Sequence, residues 1–335
     1  MISRTVCPII SLTLVLLLGT VVGTFAQTPG AIDQVDSVQQ RRDLQQAAQQ
    51  QYQPGDNAPE IYPGESQDVG PQSVLSIKPR KTLIEAIADS EWFHTDNVFL
   101  DHNYHQSSGV LVSTAQIALA PTAYELCGGM FAPRVGFREQ WYDFFQDQNH
   151  NPGFDNYDFN AQTIFTDERW MRDNWIAGVG FDYTRLLTTH SYRQFYAEYV
   201  PRWELQHSFP VCEKSAFSLA YQGYYHFTQT SSSVFRQPQD SFYDRLDNVL
   251  LATYNFAPCS HTLIQPYYSF KNTHFTASIH RTDNLHSAGL AVYWLISQNF
   301  SARAFVGYDK RNSSVDLASY RQFDTGAGLN FNIRF

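Results

Sequence analysis

Residues 326–335 read Gly326-Ala327-Gly328-Leu329-Asn330-Phe331-Asn332-Ile333-Arg334-Phe335. Ala327, Leu329, Phe331, Ile333 and Phe335 fall on one side, and Gly326, Gly328, Asn330, Asn332 and Arg334 on the other. A period of two places alternate side chains on opposite faces of a strand, here one apolar and one polar or small. The same alternation runs back through the chain. Trp175, Ala177, Val179, Phe181 and Tyr183 are separated by Ile176, Gly178, Gly180 and Asp182. Phe195, Ala197, Tyr199, Trp203 and Leu205 alternate with Gln194, Tyr196, Glu198, Arg202 and Glu204.

Alternation alone also fits a soluble sandwich, so segment length and number decide. The pattern predicts about twelve strands, at 82–93, 109–120, 128–143, 156–168, 174–187, 192–205, 215–228, 242–256, 262–272, 285–296, 300–311 and 319–335. Strands in globular proteins average about 5–6 residues, whereas strands that cross a bilayer need about 9–11. Connections alternate too. Stretches such as 94–108, 146–156 and 228–240 are long, while those around Met171, Pro258 and Ser297 are tight. Even strand number, short turns on one rim and longer loops on the other are the marks of an outer-membrane barrel. The reading is therefore all-β, a single antiparallel up-and-down transmembrane barrel.

Composition supports this. Of 335 residues only 16% are charged, yet 15% are aromatic. All the rings except Phe25, Tyr52 and Tyr62 lie after residue 81. Tyr and Trp favour the membrane–water interface. Trp141, Trp175, Trp203 and Trp294 fall on predicted outward faces. The formal net charge of −9 gives no support to nucleic-acid binding.

The first 26 residues read as a secretory signal: Arg4, an apolar run from Pro8 to Gly23, then Thr24-Phe25-Ala26, with cleavage expected near Ala26. Residues 27–80 are rich in Gln, Pro, Gly and Asp and read as a mostly disordered periplasmic linker. Within it the sharper reading is a short helix from Ala31 to Tyr52, carrying Ile32, Val35, Leu44 and Ala48 and ended by Pro54-Gly55. That stripe is too thin to pack unless it meets a partner or enters a pore. Residues 81–335 are expected to form the barrel.

The terminal segment resembles the C-terminal strand signal of bacterial outer-membrane β-barrels, with Phe331, Ile333 and Phe335 as the residues recognised by barrel-assembly machinery. Thr95-Asp96-Asn97-Val98-Phe99 and Tyr308-Asp309-Lys310-Arg311-Asn312-Ser313-Ser314 resemble phrases of the porin-2-like β-barrel porin family. That resemblance implies a barrel in the outer membrane of a Gram-negative-type bacterium, in contact with its lipids, and leaves the solute and the oligomeric state open.

Charges at inward positions are expected to line the lumen: Arg134, Arg138, Asp182, Glu198, Arg202, Glu204, Arg245, Asp247 and Arg303. Their mixed signs suggest salt-bridged layers in a narrow passage rather than a ring of one sign. The function expected is a narrow porin-like channel or structural barrel. The alternative is an export or assembly component using residues 27–80 as a docking or plug segment. Cys127, Cys212 and Cys259 remain after cleavage, and a Cys212–Cys259 disulfide is a hypothesis of the compartment. No catalytic, cofactor or metal motif is present. His105-Gln106-Ser107 has a spacing similar to that of some outer-membrane phospholipases but lies in a predicted loop, so no enzyme is expected.

Overall fold

The computed structural model describes residues 30–45, 83–103, 105–145, 157–230, 239–240, 243–276 and 280–335. The expected signal peptide, most of the linker and the Pro54-Gly55 stop lie outside the described residues. Twelve long strands follow one another: β1 Ile84–Thr95, β2 Ser108–Leu119, β3 Gly129–Phe145, β4 Phe159–Arg172, β5 Trp175–Thr188, β6 Gln194–Cys212, β7 Ser215–Thr230, β8 Arg245–Cys259, β9 Thr262–Phe275, β10 Thr282–Leu295, β11 Phe300–Ser313 and β12 Tyr320–Arg334. They run from 12 to 19 residues. Two short strands, Tyr124–Leu126 and Gln239–Asp240, pair with β3 and β7.

Each long strand pairs antiparallel with the next, and β12 returns to β1, with Trp92 opposite Ala327 and Ala86 opposite Ile333. The Ile84 amide donates to the Phe335 carbonyl at 2.9 Å. The sheet thus closes on itself, the condition for backbone groups to survive in hydrocarbon. The predicted segments match these strands closely. The sixth is longer than expected, since pairing with β7 continues to Cys212.

Alternation sorts the two faces. Ile164, Val179 and Leu250 are each more than half exposed on the outside, as are Trp92, Leu329 and Phe335. Trp175, Trp203 and Trp294 are exposed as expected, and Trp141 is half-buried. The inside holds the buried polar groups, among them Glu85, Asp89, Glu91, Gln140 and Asp247. That is the inverse of a soluble protein.

The interior is not empty. Residues 30–45 form a helix, α1, and Ala31, Ile32, Val38 and Leu44 are buried. Ala31, Ile32 and Val38 belong to the same packed cluster as Phe93, Val110, Val112, Tyr142, Phe159 and Phe305 of the barrel wall. A helix about 10–12 Å across is what a twelve-stranded interior can hold. The thin stripe read in the sequence packs because it enters the barrel.

Candidate functional site: the filled lumen

α1 runs antiparallel to β11. Near its start, Asp33 accepts from Arg311 Nη1 at 2.6 Å, and at its end Gln45 accepts from Arg303. Between them, Asp36 Oδ2 lies 3.3 Å from Arg245 Nη2 and 3.4 Å from Lys271 Nζ. Arg41 donates from Nε to Glu91 at 2.8 Å, from Nη1 to the Ser37 hydroxyl at 2.8 Å, and reaches Asp324 at 3.5 Å. Its guanidinium also lies 4.6 Å from the Phe93 ring centroid and 4.9 Å from that of Phe305. Positions 33, 36 and 37 with 41 fall on one side of a 3.6-residue helix. That side faces β1, β8, β9, β11 and β12.

The nine charges expected at inward positions fall into several separate constellations. Arg303 is held most closely: Nη1 and Nη2 donate to Asp89 at 2.7 and 3.0 Å, and Nε donates to Glu91 at 3.2 Å. Gly328 makes room, since a Cβ there would lie 3.0 Å from Arg303 Cζ. Arg245 and Asp247 join Glu198 around His226. The His226 Nδ1 is 2.9 Å from Glu198 Oε2 and its Nε2 is 3.4 Å from Asp247 Oδ2. Arg245 lies 3.5 Å from Asp247 and 3.7 Å from Glu198, and the Tyr196 hydroxyl donates to Glu198 at 2.7 Å.

Arg202 and Asp182 meet at 3.4 Å, and Arg202 also reaches Asp167 at 3.3 Å. The guanidinium lies across Gly180, where a Cβ would be 2.7 Å from its Cζ. Arg134 pairs with Glu85 at 3.3 Å and lies over the Phe165 ring. Arg138 lies 5.8 Å from the same ring centroid. Glu204 lines a cavity of about 170 Å³ beside the end of α1, with Asp43, Arg169, Arg202, Gln222 and Tyr224.

Several residues that hold the helix or pair within the wall around it were not read from sequence. Glu85, Asp89 and Glu91 alternate with Ala86, Ala88 and Ser90 in β1. That alternation was the available signal, masked by the smallness of the outward residues. Lys271, Arg311 and Asp324 carry the same parity signal on β9, β11 and β12. Asp33, Asp36 and Arg41 had none beyond their spacing.

The cysteines do not form the expected bridge. Cys127, Cys212 and Cys259 are exposed, and none of them is in a disulfide. Cys212 ends β6 and Cys259 ends β8, and β7 lies between these strands. Two inter-strand spacings are about 9.5 Å, beyond the ~7 Å that a disulfide spans. His105 and Ser107 lie in the connection between β1 and β2, where the Gln106 carbonyl accepts from the Val98 amide at 2.8 Å. Among the described residues, no group of three His, Cys, Asp or Glu is placed to hold a metal.

No protein-family model matches the chain, and no curated protein matches it in sequence. Solved structures do. An outer-membrane channel from Pseudomonas putida F1 is similar over 80% of this chain and 99% of its own, with TM-score 0.52 at 9% identity. The KdgM porin in complex with disordered oligogalacturonate is similar over 73% and 98%, with TM-score 0.37 at 12% identity. An anion-selective porin from Comamonas acidovorans is similar over 75% and 99%, with TM-score 0.39 at 9% identity. The chain has the fold of an outer-membrane β-barrel channel.

Proposed function

We propose that the protein is a narrow outer-membrane channel whose lumen is closed at rest by its own N-terminal helix. The observation that carries this reading is the seating of α1, with Asp33, Asp36 and Arg41 ion-paired to five wall residues. Buried polar contacts of this kind fix position and register rather than add stability, since the desolvation of each charge offsets most of the attraction. A segment held in register by charge, and not by a continuous apolar face, suits a removable plug. It joins the two expectations drawn from the sequence, a mixed-charge channel and a plug within residues 27–80.

The cavity beside the end of α1 marks where small polar solutes would pass on the β4–β8 side. Its charges alternate in sign, from Arg169 and Arg202 to Glu204 and Asp43, which disfavours strong selection by charge. The outward faces would meet outer-membrane lipid, and the β12 face of Phe331, Ile333 and Phe335 would be read by the assembly machinery. The rim that carries the long connections 96–107, 146–158 and 231–244 is assigned to the outside, and the rim of tight turns to the periplasm.

Planar-bilayer recording tests the reading. The full chain is expected to be silent or to show small, rare steps, and a chain lacking residues 30–45 to show larger and persistent ones. Equal conductance from the two, with both shown to be folded by heat-modifiable gel mobility, would remove the plug.

A further inference from the structure

The side of α1 that faces away from the ion pairs carries Ala31, Val35, Val38 and then Arg42, spaced as neighbours along the helix. Val38 packs in the cluster that includes Val110, Val112 and Tyr142. Arg42, one turn further on, lies within electrostatic range of Tyr142 on β3 and of Asp89 on β1, and Asp89 is paired across the sheet with Thr114 of β2. Arg42 is only 3% exposed, and its Nη1 and Nη2 have no hydrogen-bond partner among the described residues.

The wall opposite is also unsatisfied. β2 and β3 place their inward side chains in register, Gln116 opposite Arg138 and Thr114 opposite Gln140, with Tyr142 in the next row. Both amide atoms of Gln116, both of Gln140, the Thr114 and Tyr142 hydroxyls and Arg138 Nε lack partners among the described residues, and all of these side chains are buried. Tyr142 lies within electrostatic range of both the Arg42 and the Arg138 charge, and the two arginines lie within range of each other.

The described carboxylates within reach are engaged elsewhere. Asp89 is bound at both oxygens by Arg303 and also by Asn330, Asp43 accepts from Gln39 at 2.7 Å, and Asp182 pairs with Arg202. Two buried guanidiniums without a dedicated anion are costly. Each unsatisfied side chain around them, the Gln116 and Gln140 amides and the Thr114 and Tyr142 hydroxyls, has a hydrogen to donate, and none is a carboxylate. An oxyanion is the species that satisfies such a set, because its oxygens accept several charge-assisted hydrogen bonds at once.

We infer that the lumen holds an anion site between α1 and the β2–β3 wall, in which Arg42 and Arg138, with Gln116, Gln140, Thr114 and Tyr142, bind a small oxyanion. The bound anion ties the C-terminal half of the helix to the wall that leaves Arg42 unpaired. The site depends on the seating of α1 and not on conduction.

Isothermal titration of the folded full chain in detergent tests it, with inorganic phosphate and then sulfate as the titrant and ionic strength held constant with chloride. Wild type is expected to bind one oxyanion saturably. Arg42→Gln and Arg138→Gln are each expected to weaken binding at least about tenfold, the loss of a charge-assisted hydrogen bond. Arg138→Lys is expected to fall between, keeping the charge but losing the planar fork. Arg185→Gln, on the exposed outer face of β5, leaves the affinity unchanged. Heat-modifiable mobility confirms that each variant is folded. No saturable binding of either anion by wild type, or binding that both glutamine variants retain in full, would overturn the site and leave the cluster as hydrated lumen. Conductance that is unchanged on deleting the helix would instead count only against the plug.

Discussion

The lumen has two unlike walls. On one side, β1, β8, β9, β11 and β12 answer each charged side chain that α1 presents: Arg311 to Asp33, Arg245 and Lys271 to Asp36, Glu91 and Asp324 to Arg41. On the other, β2 and β3 offer Val110, Val112 and Tyr142 to the apolar stripe and leave Arg42 unanswered. Two neighbouring arginines of one helix thus stand in opposite conditions. The helix is registered by the ion pairs of one wall and covered by the other, and without a bound anion its release is a matter of breaking ion pairs on a single side.

The matched wall breaks most severely at Arg303. Its guanidinium serves Asp89, Glu91 and Gln45 together, at 3% exposure. Arg303→Ala takes the guanidinium from the buried Asp89 and leaves Glu91 with Arg41 alone, and leaving one partner of a buried pair uncompensated costs about 3–5 kcal/mol. The heat-induced mobility shift of the purified protein is expected to move to markedly lower temperature. An unchanged transition would mean that water replaces the arginine without loss.

The second comparison is between the faces of one strand. Ile164 of β4 is 55% exposed and points outward between the inward Thr163 and Phe165. An arginine facing lipid near the midplane costs about 2–4 kcal/mol. Ile164→Arg is expected to lower the fraction that inserts and folds into lipid vesicles, measured by protease protection. Full insertion would place that face against protein rather than lipid.

The barrel was legible because a period-two pattern is local: each of the twelve segments announces itself without knowledge of the others. Which charges meet was not legible. Glu91 and Arg303 are 212 positions apart and meet only because β12 closes on β1. Asp36 and Lys271 meet only because α1 is inside. The helix was half legible. Ile32, Val35 and Leu44 suggested it, but a stripe that thin has meaning only once a concave partner is known. The disulfide failed for a similar reason, since two cysteines in turns on one rim are close only if no strand lies between them, and β7 does.

A smaller effect separates the two arginines directly. Arg41→Gln removes the charge-assisted bond to Glu91, about 1.5–3 kcal/mol, and is expected to raise the frequency of channel openings in a planar bilayer. Arg42→Gln removes a charge that no described residue pairs. In phosphate- and sulfate-free buffer it is expected to leave opening frequency at or below the wild-type value. Equal increases for both would erase the distinction between the walls.

The rim at which α1 begins can be assigned to one side of the membrane with almost no energetic disturbance. Among the described residues a Cβ on Gly30 would meet the Phe99 carbonyl oxygen alone, at 3.8 Å, so Gly30→Cys is sterically mild. Phe99 follows β1 in the connection 96–107, and its ring lies 4.9 Å from that of Tyr157, at the far end of another long connection. Gly30 therefore sits at the rim of long loops. Cys127, Cys212 and Cys259 are exposed at the rim of tight turns and serve as markers of the opposite side. On intact cells a membrane-impermeant maleimide is expected to label the Gly30→Cys protein and not the wild type. After the outer membrane is permeabilised, both are expected to be labelled at the native thiols. The reverse order would invert the barrel. Labelling of the introduced thiol only after permeabilisation would mean that the start of the helix does not reach the outer mouth, and the plug would then have to leave toward the periplasm.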